Sequence, residues 1–156
     1  MPTQRREFIK STGGTGLFMW LAAAGLIKPR ELRAEPWNKA AFDATTLPEL
    51  MRALNGDEPA SGADIAIDAP EIAENGAVVP VTVSASLPGV SMIAILIEKN
   101  PNLLAASFTI PEGTLADVQT RVKMAQTSNV YALVKTGGKF VYAVKEIKIT
   151  LGGCGG

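Results

Sequence analysis

From Ile65 onward the apolar residues fall into short runs with a period of two, each closed by glycine, proline or asparagine. Side chains of an extended strand point alternately to its two faces, so this period buries one face and wets the other, which a helix cannot do. Val79, Val81, Val83 and Ala85 against Pro80, Thr82 and Ser84 are the clearest example. Pro80 supplies no ladder donor and predicts an edge or a bulge at that point. Met92 to Glu98 is apolar until its closing charge, as a strand buried on both faces would be. Leu104 to Ile110, Val118 to Met124, Val130 to Lys135 and Lys139 to Thr150 complete the series. They are punctuated by Asn100-Pro101, Pro111-Glu112-Gly113 and Thr136-Gly137-Gly138, the last closing a hairpin. Six or seven such strands predict an all-β chain, an antiparallel β-sandwich of immunoglobulin-like character. The Cys…Trp…Cys core signature is missing, so only the architecture is implied.

Ahead of the strands, Leu47, Leu50, Met51 and Leu54 keep helical spacing, with Thr46 as N-cap, Pro48 in the first turn and Gly56 as a stop. One short N-terminal helix is expected there, joined to the strands by the Gly/Pro/Ser/Asp-rich stretch from Asn55 to Asp64.

The first 34 residues read as an export signal. Arg5 and Arg6 precede a charge-free, Gly-rich apolar stretch from Gly13 to Ile27, the pattern of a twin-arginine leader. Fifteen residues fall short of the about 20 that span a bilayer, so no permanent membrane anchor is expected. Gln4 departs from the Ser or Thr usual before the arginine pair. Cleavage after Ala34 would remove six basic and two acidic residues from a chain of net charge zero, leaving residues 35–156 near −4. That balance disfavours nucleic acid or an anionic membrane as a partner, since both call for a basic face. The expected destination is the periplasm, and the expected organisation is a leader at 1–34, a sandwich with its helix at 35–151 and an arm at 152–156.

The chain has no histidine and one cysteine. Histidine-based triads, histidine metal sites, Cys-x-x-Cys redox pairs and thiolate clusters within the chain are therefore excluded, and no metal site is expected. No Gly-rich loop joins a strand to a helix, so a nucleotide cradle has no support. Glu71 and Glu74 lie beside Asn75-Gly76 and read as solvated charges of an acidic loop in preference to an acid/base pair. Arg121 and Lys123 alternate with Val122 and Met124 and should project outward, as a plain solvated face or toward an acidic partner or an anionic group on the arm. Phe108 and Tyr142 read as core residues, not cofactor contacts.

What remains is Cys154, set between Gly152-Gly153 and Gly155-Gly156. Glycine has no Cβ and lets the backbone roam, so the thiol sits on a flexible arm of five residues whose extended reach is about 16 to 18 Å. The residues before it, Ile147, Ile149 and Leu151, share one strand face and should pin the arm's base into the core. An exposed thiol is prone to oxidation and mispairing, which argues against an idle tail. No histidine or helix N-terminus stands near to activate it, so other enzymes would have to do so. That is the behaviour of a covalent carrier and not of an enzyme. Two other readings stand beside it: a secreted structural or interaction sandwich whose cysteine makes an interchain disulfide, and a thiol enzyme.

Lys148-Ile149-Thr150-Leu151-Gly152-Gly153-Cys154-Gly155-Gly156 resembles the closing segment of the SoxY family, the sulfur-carrying Y subunits of the SoxYZ thiosulfate-oxidation complex. Pro70 to Gly76, Asn100-Pro101 and Arg121 to Thr127 are similar to recurring segments of the same family. The resemblance implies a heterodimer with a second small β-protein, a SoxZ-like subunit, and covalent attachment of sulfur intermediates to Cys154, with no other cofactor. It further implies three partner enzymes: a haem enzyme that couples thiosulfate to the cysteine, a hydrolase that releases sulfate and, in some organisms, a sulfur dehydrogenase.

Overall fold

The computed structural model describes residues 37–151, and these fold into three layers. Two short helices, α1 (Lys39–Asp43) and α2 (Leu47–Ala53), cover part of the outer face of a six-stranded sheet, whose inner face packs on a three-stranded sheet. The strands are β1 (Ala60–Ser61), β2 (Ile65–Asp68), β3 (Ile72–Asn75), β4 (Val79–Ala85), β5 (Val90–Ile97), β6 (Leu104–Thr109), β7 (Asp117–Val122), β8 (Ser128–Thr136) and β9 (Lys139–Leu151). The large sheet runs β1-β9-β8-β5-β6 with β3 also on β9, and the small one runs β2-β4-β7.

The period of two does what the sequence predicts. Val79, Val81 and Val83 of β4 meet Ile93, Ile95 and Ile97 of β5 and Val130, Ala132 and Val134 of β8 between the sheets, all fully buried. Each of these valines and isoleucines stabilises the fold by about 1.5 to 3 kcal/mol relative to exposure. The alternate positions of β5 and β8, Ala94, Leu96 and Leu133, are buried on the outer face beneath Leu50 and Met51 of α2. β5 is therefore apolar on both faces because a helix layer covers the second one. Pro80 lies on β4 opposite Arg121 of β7, outside the stretch Thr82–Ala85 that pairs with β2, so the missing donor falls on a local edge.

The antiparallel sandwich carries two parallel additions. β1 and β3 both run parallel to β9, with Ala60 opposite Val141 and Ala73 opposite Ile149. After β2 has paired with β4, the chain crosses from the small sheet to the large one over Ala69, Pro70 and Glu71. Residues 72–75 are thus a strand where the sequence reads as an acidic loop. β3 shows no alternation because only Ala73 is buried.

At α2 the expected cap is present in full. The Thr46 hydroxyl accepts from Glu49 N, and the Glu49 carboxylate accepts from the backbone nitrogens of Thr45 and Thr46 at 3.1 and 3.2 Å. Those donors hold the Glu49 carboxyl below the usual carboxylate range. The stop is different. Asn55, not Gly56, takes the left-handed conformation (φ 51°), while a Cβ on Gly56 would lie 2.3 Å from the Phe140 ring. Gly56 serves a close approach. α1 escapes sequence reading because five residues hold too little periodicity; it is capped by Asn38, whose side chain accepts from Ala41 N and donates to Ala53 O.

Candidate functional site: the base of the Cys154 segment

β9 is the longest strand, with 13 residues, and its second half poses a problem in hydrogen bonding. β8 begins at Ser128, opposite Ile147, so Lys148 to Leu151 have no partner strand on that side. Unpaired ladder groups fray or recruit other chains. Here one side is closed by β3, whose parallel register pairs Ile72 with Lys148 and Asn75 with Leu151. Lys148 N donates to Glu71 O at 2.9 Å, and the Thr150 hydroxyl donates to Glu74 O at 3.1 Å. On the other side the Thr127 hydroxyl stands in for the missing strand and accepts from Ile149 N at 2.9 Å. Ile147 is fully buried and Ile149 packs against the inner core, as the sequence predicts. The side chain of Leu151 falls outside the described residues.

The turn that carries Thr127 is itself held by side chains. Asn100 donates from Nδ2 to Lys123 O at 2.8 Å and accepts on Oδ1 from Ala125 N at 3.1 Å, which ties the β5–β6 loop to the β7–β8 loop. Ser128, the one buried polar residue in the described part, accepts from Lys99 N at 3.0 Å and donates to Asn129 O. Met124 N donates to Gly76 O at 2.7 Å, linking the β3–β4 turn into the same end. The three segments that resemble a known family, 70–76, 100–101 and 121–127, are brought together here around the last residues of β9. Sequence reading found the segments but not the roles of Asn100, Thr127 and Ser128. Asn100 looked like a turn residue, and the only further signal was a Thr-Ser pair leading into an apolar strand.

Arg121 and Lys123 are exposed on alternate positions, as expected, and neither has an ion-pair partner among the described residues. Glu71 and Glu74 are exposed and contribute backbone carbonyls to β9, not a carboxylate pair. Phe108 is half-buried against the inner core, whereas Tyr142 faces an open cleft on the outer sheet face. Cys154, Gly152, Gly153, Gly155 and Gly156 lie outside the described residues, as do Arg5, Arg6 and the whole of 1–34.

Fold and site define an immunoglobulin-like sandwich domain in which the last strand is held by β3 along one edge as far as Leu151 and by Thr127 at Ile149 on the other. The chain belongs to the SoxY family of sulfur oxidation proteins, whose family model matches residues 51–154 and so runs from α2 to the cysteine. A solved structure of the sulfur carrier protein SoxY from Chlorobium limicola f thiosulfatophilum is 42% identical, with a TM-score of 0.61, and the match covers 67% of this chain and 96% of that one. A superoxide reductase (neelaredoxin) from Ignicoccus hospitalis is 22% identical at a TM-score of 0.49, over 55% of this chain and 79% of that one. No curated protein sequence matches the chain. Family membership makes it a sulfur-oxidation protein with a carrier role.

Proposed function

We propose that Cys154 is the covalent attachment point for thiosulfate-derived sulfur, and that the chain itself catalyses none of the steps. The observation that carries this reading is the combination of the family match reaching residue 154 with a β9 held by β3 along one edge through Leu151 and by Thr127 at Ile149 on the other. The cysteine follows Leu151 by three residues, a reach of about 10 to 11 Å when extended. A thiol displaced that far from a fixed strand can enter the active site of another protein while the sandwich stays outside.

Loading is an oxidation. The Cys154 thiol and the outer sulfur of thiosulfate form an S–S bond, giving a cysteine S-thiosulfonate, and two electrons pass to a haem-containing partner while the thiol proton leaves. Hydrolysis then cleaves the bond between the sulfonate sulfur and its neighbour. Water supplies the fourth oxygen of the departing sulfate and the proton of a cysteine persulfide. Further oxidation by a sulfur dehydrogenase and a second hydrolysis would free the thiol. The glycines on either side leave room for a bulky active-site mouth and add no side chain to clash. Export to the periplasm by the Arg5-Arg6 leader, and pairing with a SoxZ-like subunit, belong to the same proposal.

Complementation tests it. Cells lacking this chain should regain thiosulfate oxidation with the wild-type sequence and remain inactive with Cys154→Ser, at equal protein levels. Full activity of the serine variant would remove the cysteine from the chemistry and favour a structural role for the domain.

A further inference from the structure

The outer face of the large sheet is only partly covered by the helices. Between α2 and the end of the sheet that bears Asn100 and Thr127 lies an open cleft of about 390 Å³. Leu96 and Leu133 form part of its floor, and Tyr131 and Tyr142 stand in it with ring centroids 5.8 Å apart and ring planes inclined at 54°. Among the described residues two carboxylates, Glu58 and Glu98, line it, and no lysine or arginine does. Glu98 is not balanced elsewhere: among the described residues it has no ion-pair partner, and its carboxylate is fixed by a neutral donor, Asn129 Nδ2, at 2.9 Å. Burial, together with the charge of Glu98, holds the Tyr131 phenol above its ordinary value.

We infer that this cleft is a docking site for a protein partner that inserts an arginine side chain flanked by apolar residues. The argument is charge complementarity on a prepared floor. Two carboxylates without a cation attract one, and tyrosine faces favour a guanidinium, which stacks and donates in a plane, over the compact and strongly hydrated ammonium of lysine. Because Asn129 already orients Glu98, little side-chain freedom is lost on binding. The leucines and the half-buried tyrosines supply apolar area for the residues beside the arginine. Glu98 and Asn129 stand two residues from Asn100 and Thr127 respectively, so a partner seated here lies beside the base of the Cys154 segment. The inference does not depend on sulfur attachment and stands or falls separately from it.

The test uses the full chain and a defined probe. Acetyl-Leu-Arg-Leu-amide is titrated while the ring resonances of Tyr131 and Tyr142 are followed by NMR, with the citrulline peptide as the uncharged, near-isosteric control. The expected result is a saturable shift of both rings with the arginine peptide and at least about threefold weaker binding of the citrulline peptide, as for a half-exposed ion pair with cation–π contact. Glu98→Gln, at an exposed position that leaves the core intact, should bring the two peptides to within a factor of about two. Equal affinities for both peptides in the wild type, or no ring shifts with either, overturn the proposal. Concentration-dependent self-association that perturbs the same two rings and is abolished by Tyr142→Ser assigns the cleft to a second copy and overturns it as well.

Discussion

The two ends of the sandwich solve the same problem in different ways. At the end where β9 finishes, backbone donors are satisfied by side chains: Ala125 N by Asn100, Ile149 N by Thr127, Lys99 N by Ser128 and Ala77 N by Asn75. At the opposite end the turns rest on glycines in left-handed conformations, Gly89, Gly113, Gly137 and Gly138 with φ between 53° and 81°, and a Cβ added at any of them would touch nothing within 4 Å. Side chains there donate hydroxyls to carbonyls, Thr136 to Pro88 and Thr114 to Pro111. At one end particular side chains accept from backbone donors, while at the other left-handed glycines shape the turns and two threonine hydroxyls brace them. The difference places positional precision where the chain continues toward Cys154.

Substitutions should expose this contrast in order of size. Asn100→Ala removes a donor to Lys123 O and leaves Ala125 N–H without its acceptor, so a loss of about 2 to 4 kcal/mol is expected in urea unfolding. A loss below about 1 kcal/mol would dissolve the distinction between the ends. Thr127→Val keeps the shape and deletes the acceptor for Ile149 N, and should lower stability by about 1 to 2 kcal/mol. Its sharper readout is hydrogen exchange. The Ile149 amide should exchange far faster in the variant while amides in the middle of β8 and β9 keep their protection, whereas uniform change would mean that Thr127 acts globally. Gly138→Ala, at φ 81°, should lose only about 1 kcal/mol through backbone strain, and Leu115→Ser, at a side chain 88% exposed, should stay within about 0.5 kcal/mol.

A smaller effect belongs to α2. Donors from Thr45 and Thr46 depress the Glu49 carboxyl in the fold, so its contribution is complete above the titration of the unfolded carboxyl and fades as the pH falls through the lower folded value. The difference in melting temperature between wild type and Glu49→Gln should therefore shrink between about pH 6 and pH 3. A difference that grew toward acid would reverse the sign.

What could be read from the residues follows the same division. The strands of the two-layer core were legible because Val79, Val81 and Val83 or Ile93, Ile95 and Ile97 carry the period of two in their own chemistry. β3 was not, because a strand laid parallel along β9 with one buried residue leaves Glu71, Ile72 and Glu74 exposed and resembles a loop. Gly56 was noticed for the wrong property, since its need for space arises from Phe140, more than eighty residues away. Cys154 and its glycines stood out by composition, but the clamps under them did not. Asn100 and Thr127 act through contacts more than twenty residues distant, which no local spacing encodes.

The central claim, that sulfur is carried on Cys154, is tested most directly by intact-protein mass spectra of the chain purified from thiosulfate-oxidising cells, before and after mild reduction, with Cys154→Ser alongside. The account predicts mass additions of sulfur or thiosulfate size on single wild-type chains, removed by reductant and absent from the serine variant. A bare thiol under all growth conditions, or only disulfide-linked pairs of chains, would contradict it.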